Sequence, residues 1–173
     1  NILVLAKDKD TAKNLVTKVR VMYSNLPQWL KTQVTEDNKL SLVFKNGSQI
    51  KAVAATAEAG RSEALSLLII DEAAFIEKID SIWTAAQQTL ATGGDCIALS
   101  TPNGVGNWFH QQWLGAEGGT NNFNPIKLHW TCHPDRDEDW RKEQDKVLGP
   151  SQAAQECDAD FLTSGESVVD PQI

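Results

Sequence analysis

Apolar residues run along this chain in two rhythms. Short unbroken runs occur at 2–6 (ILVLA), at 66–71 (SLLIID) and at 96–100 (CIALS). Such runs predict strands covered on both faces, as in a parallel sheet. The stretches LSLVF and SQIKAVA flank Asn46-Gly47, a pairing that predicts a β-hairpin. Residues 125–130 (PIKLHW) read as a further strand. The second rhythm is helical. From Asp10, read as an N-cap, apolar residues recur at Ala12, Leu15, Val16, Val19, Met22 and Tyr23, and the pattern stops near Leu26-Pro27. Further helices are predicted over 80–91, over an aromatic-rich 107–114, over a strongly charged 137–147, and from Pro150-Ser151 onward.

Strands alternating with helices predict an α/β domain, with a mainly parallel sheet, flanking helices and an inserted hairpin. Ligands of such sheets bind at the carboxyl ends of the strands. Asp71, Glu72, Ser100 and Thr101 all fall at those ends.

The length of 173 residues and 41% hydrophobic content are enough for one core, which means one domain with room for the start of another. Neither end reads as a natural terminus, and the expectation is a piece of a longer protein. No apolar run reaches the roughly 18 residues that would cross a membrane, and no signal peptide is visible. The three cysteines, Cys96, Cys132 and Cys157, are odd in number and scattered. That speaks against a disulfide framework and for a reducing compartment. His129, Cys132 and His133 lie close together, but a zinc site needs about four ligands and no second pair follows. The net charge of −7 is unevenly spread: residues 1–33 carry six Lys/Arg against two acids, and residues 134–173 carry four against eleven. Overall acidity weighs against this piece being the main nucleic-acid grip.

The chemistry concentrates at SLLIIDEAAF. Charge at the end of an apolar strand is costly unless a metal or a reaction uses it. Asp71 suits Mg²⁺, a hard cation that takes carboxylate oxygen and keeps several waters. Glu72, one residue on and turned elsewhere, suits polarising a water for attack on a terminal phosphate. The bland alternative is a pair of acids capping the next helix. Twenty-nine residues after Asp71 comes LSTPNG, where Ser100 and Thr101 bring hydroxyls that could sense a phosphate before the Pro102-Asn103-Gly104 turn. Its alternative is a plain strand-to-turn junction. Arg61, in the loop AEAGRSEAL, could stabilise charge on a transferring phosphate, in its own site or a neighbour's.

In combination these segments resemble the large subunit of the DNA-packaging terminase of tailed bacteriophages. LLIIDEAAFI looks like that family's Walker B strand with its catalytic glutamate. ALSTPNGVGNWFHQQW is similar to its coupling motif and following helix. FKNGSQIKAVAATAEAGRSEA looks like the segment before Walker B, and HPDRDEDWRKEQDKVLGPSQAAQECDADFLTSG like the segment leading towards the nuclease. The resemblance implies a RecA-like P-loop NTPase, incomplete at its N-terminus, that uses ATP and Mg²⁺. It implies a ring of subunits on the portal protein of a procapsid in the host cytoplasm. That ring, with a small terminase subunit, drives double-stranded viral DNA inside. By position Asp71 becomes the metal acid, Glu72 the catalytic base, Ser100 and Thr101 the coupling motif, and Arg61 an arginine acting across a subunit boundary. Residues 1–133 would be a partial ATPase domain and 134–173 a helical linker to an RNase H-like nuclease domain.

Two parts of that pattern are not found in the sequence. No G-x-x-x-x-G-K-[ST] loop occurs, so the cradle for the β- and γ-phosphates is not here. The nuclease's metal ligands would lie beyond residue 173, Asp170 coming too early to be one. The family's phosphate-loop strand would sit between 96–100 and 125–130. The expectation is therefore a gap in the middle of the sheet, weak ATP binding by the chain alone and a tendency to aggregate. Two other readings stay open: a DEAD-like helicase, which favours SAT over STPNG, and a non-hydrolysing α/β assembly module.

Overall fold

The computed structural model describes residues 1–56, 59, 64–91 and 93–161. Its contacts divide the chain into two compact units, Asn1–Leu99 and Ser100–Ile173.

The first unit is a six-stranded sheet in the order β2-β3-β4-β1-β5-β6. The strands are β1 (Ile2–Ala6), β2 (Val34–Asn38), β3 (Ser41–Phe44), β4 (Gln49–Ala54), β5 (Leu67–Ile70) and β6 (Asp95–Ala98). β1 runs parallel to both β4 and β5, and β5 parallel to β6, while β2, β3 and β4 form an antiparallel meander. The apolar runs are the reason: β1 and β5 occupy the middle, where both faces are covered. Gly47 adopts φ 81° at the β3–β4 turn, the backbone that Asn-Gly favours.

α1 (Lys9–Asn25) packs on β4 and β1. It buries Ala12 and Val16 with Val4, Ala6, Leu42 and Ala52 in one cluster. Its N-cap is Asp8, whose carboxylate accepts from the Thr11 amide at 2.8 Å, and not Asp10. Those amide contacts also hold the Asp8 carboxyl below the usual carboxylate value. α2 (Ile79–Leu90) packs on β5 and buries Ile79, Ile82 and Ala86 at helical spacing.

Two expectations about the sheet need correcting. β2 goes unannounced by the sequence, because VTEDN is almost wholly exposed and becomes a strand only by pairing with β3. Conversely, 125–130 is not a strand: no described strand pairs with it, and Ile126 and Leu128 stand 69% and 76% exposed. The described sheet consequently has no internal gap. β6 is an edge instead. Residues 95 and 99 donate to β5-side carbonyls, so the alternate backbone groups of Cys96 and Ala98 face the open side.

The second unit is helical. α3 (Trp108–Glu117) begins at Asn107, whose side chain accepts from the His110 amide at 3.0 Å. α4 (Glu138–Leu148) starts at Asp137, which caps the Trp140 amide. α5 (Pro150–Ala153) continues into one π-helical turn, Ala154–Asp158. Arg141 ties α4 to that turn. It donates twice to Asp158, at 2.8 and 2.7 Å, and once to Asp145 at 2.6 Å.

Candidate functional site

The end of β5 is held from both sides. The Asp71 amide donates to the Leu5 carbonyl at 2.9 Å, carrying the β1 pairing one residue past the strand. On the other flank the Leu99 amide donates to Ile70, and the Ala73 amide returns a bond to Leu99 at 3.1 Å. Between these clamps Glu72 sits in the left-handed region, φ 55° and ψ 40°. A β-carbon there meets the following carbonyl oxygen, at a cost of roughly 1–2 kcal/mol. The chain then enters a 3₁₀ turn, Ala73–Phe75, anchored by buried Ala73 and Ala74. The left-handed step breaks the two-residue alternation of the strand, so Asp71 and Glu72 do not simply face opposite sides of the sheet. Both are half-buried. Strain of this kind persists where surrounding structure over-determines it, and it gathers at working sites.

Lys7 is a neighbour that sequence reasoning missed. It is the first residue after β1, and its Nζ lies 5.7 Å from the centre of the Phe75 ring, three residues past Glu72. The signal was present: Lys7 is the first polar side chain after ILVLA, at the carboxyl end of a central strand.

Ser100 and Thr101 open the second unit directly after Leu99, so the covalent chain puts them just past β6, and both are half-buried. Pro102 behind them is fully buried. The Thr101 hydroxyl lies 3.5 Å from Oε1 of Glu156, in the π-turn. Arg61 falls outside the described residues, as does Asp170. Among the described residues no three His, Cys, Asp or Glu side chains gather as a metal cluster. His129 instead stacks on Trp130 and lies 3.7 Å from Asp158. The three thiols are free, and burial pushes that of Cys96 up to about 12.

With this geometry in place, the sequence profile of the family "Terminase large subunit, T4likevirus-type, N-terminal" matches residues 1–169. The chain belongs to that family. Among solved structures, this terminase chain is similar to the large terminase ATPase domain of Thermus phage P74-26. The TM-score is 0.64 at 22% identity, over 93% of this chain and 76% of that one. It is also similar to the large terminase of another thermophilic bacteriophage in complex with ADP, with TM-score 0.68 and 12% identity over 94% of this chain. The structure of that second terminase with ATP-γ-S gives 0.68 at 13%. The chain described here spans 40% of the length of that second terminase in both complexes. At such identities the likeness is one of fold: an α/β sheet with flanking helices of the RecA-like kind seen in terminase ATPase domains.

Proposed function

We propose that this chain is part of an ATP-hydrolysing motor subunit that moves double-stranded viral DNA into a procapsid, and that it supplies the acidic half of the nucleotide site. The observation that carries this reading is Glu72, strained into the left-handed region beside Asp71 at a strand end clamped on both flanks. Two half-buried carboxylates form an all-oxygen donor set, which fits Mg²⁺ held by one or two carboxylates and completed by phosphate and water. Asp71 is assigned to hold that ion, directly or through water. When bound, Mg²⁺ neutralises charge developing on the phosphates. Glu72 accepts the proton of the attacking water as its oxygen bonds to the γ-phosphorus and the bond to the bridging oxygen breaks. Ser100 and Thr101 are assigned to report the presence of the phosphate, and Arg61 to stabilise its charge from a neighbouring copy.

The phosphate cradle is not among these 173 residues. The open edge of β6, with Cys96 and Ala98 backbone groups facing out, suits the strand that would carry it. The chain alone is accordingly expected to bind ATP weakly. Residues 134–173 are assigned to the path towards a nuclease domain, and the ring of copies, portal protein and small subunit remain the partners that the packaging role requires. No helix is long and apolar enough to cross a membrane among the described residues.

The test is Glu72→Gln in the complete large subunit. Loss of a general base costs about 10²–10⁴-fold in turnover, so ATP hydrolysis should fall by at least 100-fold with nucleotide affinity kept. Unchanged turnover would remove the catalytic reading of Glu72. The helicase alternative is disfavoured by the family match over residues 1–169.

A further inference from the structure

We propose that Glu156 is a positioning residue: it receives the Thr101 hydroxyl when no phosphate is in reach, and the π-turn that carries it passes that state on to α4 and α3. The inference rests on the assignment of Thr101 to phosphate sensing.

A threonine hydroxyl has one proton to donate. It donates to a phosphate oxygen or to Glu156, and not to both at once. Their separation of 3.5 Å lies beyond the 2.5–3.0 Å of an ordinary O–H···O bond. The contact is therefore poised, closing or opening with a movement of less than an ångström. The same Oε1 is also 3.3 Å from the Gln155 side-chain amide, which keeps the carboxylate turned along this side of the turn.

The other end of the turn is fixed. Both Asp158 oxygens are forked by Arg141, a bidentate geometry that resists rotation, and Arg141 is itself pinned by Asp145. The segment thus has a loose end at Glu156 and a rigid end at Asp158. Between them the backbone is a π-turn, a rare form that carries one residue too many for an α-turn and concentrates at functional sites. It is followed by Ala159 at φ 51°, one of only two described non-glycine residues with positive φ; the other is Glu72. A one-residue rewinding of the turn would release Ala159 from that conformation. Phe161, two residues on, rests against Phe109, His110 and Trp113 of α3, with ring centres 6.1, 5.0 and 6.0 Å away. α3 follows the Thr101 loop in sequence. A shift of the turn is thereby felt by α4 through Arg141 and by α3 through Phe161.

The experiment is amide hydrogen exchange over residues 154–160 in the complete large subunit, with ADP and with ATP-γ-S. The relay predicts at least tenfold slower exchange with ADP, when the hydroxyl is free to bond Glu156. Glu156→Ala and Thr101→Val should each abolish that difference, and the double variant should add nothing. Glu156→Gln, which keeps an acceptor and guards against a folding artefact, should restore part of it. In turnover, Glu156→Ala should lower the DNA-stimulated kcat with the KM for ATP within twofold. An exchange difference that survives Glu156→Ala overturns the relay, even if Thr101→Val impairs turnover and the motor reading stands. If Glu72→Gln leaves hydrolysis intact, the catalytic assignment of Glu72 fails separately, and the exchange comparison still decides the relay.

Discussion

The left-handed backbone at Glu72 makes a prediction in which stability and activity move apart. An L-residue at φ 55° and ψ 40° costs roughly 1–2 kcal/mol relative to a comfortable conformation. Glycine removes that cost but loses about 0.5–1 kcal/mol more backbone entropy on folding. Set against Glu72→Gln, which keeps the β-carbon and also lacks the charge, Glu72→Gly should therefore be the more stable by about 0.5–1 kcal/mol. For a domain of 150–250 residues, 1 kcal/mol corresponds to about 2–4 °C in Tm. The comparison isolates the backbone, since both variants lose the carboxylate. Thermal unfolding of the two variants in the complete ATPase domain, alongside their ATP turnover, is the assay. Both should be inactive, with Gly melting about 1–4 °C above Gln. A Gly variant that melts below Gln would show that the side chain stabilises the turn, and that no strain is held there for function.

Other outcomes follow from neighbouring features. Asp71→Asn should weaken Mg²⁺-dependent nucleotide binding, with the loss shrinking as Mg²⁺ is titrated up in a fluorescent-nucleotide assay. Arg61→Ala should cut hydrolysis, and mixing with Glu72→Gln subunits, which keep Arg61, should restore part of it if Arg61 acts across the boundary. Gly94→Ala should destabilise by about 1–3 kcal/mol, read by denaturant unfolding. A β-carbon there would fall 2.1 Å from the Leu65 carbonyl oxygen, a backbone atom that side-chain motion does not clear. Asp158 is held below its ordinary value of 3.8, first by its hydrogen bonds from Arg141. A depressed carboxylate gives stability that is present above its unfolded pKa and lost as pH falls through the folded one. Acid unfolding of the helical unit should therefore begin below about pH 4, and Arg141→Met should lower stability at neutral pH and flatten this acid dependence, because the guanidinium that depresses Asp158 is gone.

Much of the sheet was legible because its central strands need no partner to be recognised. ILVLA and LLII are apolar on both faces and lie inside the sheet, whereas CIALS, equally apolar, forms the edge strand β6. The Asn46-Gly47 turn was legible because its φ of 81° suits few residues. What stayed hidden depends on pairing. VTEDN holds one inward residue, Val34, and is a strand only through β3. PIKLHW has the alternation of a strand and no described neighbour to bond. At the cap of α1, Asp8 and Asp10 are both acids near the first turn, and only the Thr11 amide distinguishes them. The acids of the candidate site were legible from their place after an apolar run. The left-handed turn at Glu72, the stacking of Lys7 over Phe75 and the π-turn beneath Glu156 were not. Each arises from how segments distant in sequence constrain one another, which no local pattern records.

The most direct measurement is the anomalous scattering of Mn²⁺, standing in for Mg²⁺, in crystals of the complete large subunit grown with ATP-γ-S. The account predicts one peak within direct or single-water reach of the Asp71 carboxylate, with Glu72 facing the γ-phosphate rather than the metal. A metal peak held by other residues, with Asp71 turned away from it, would contradict the account.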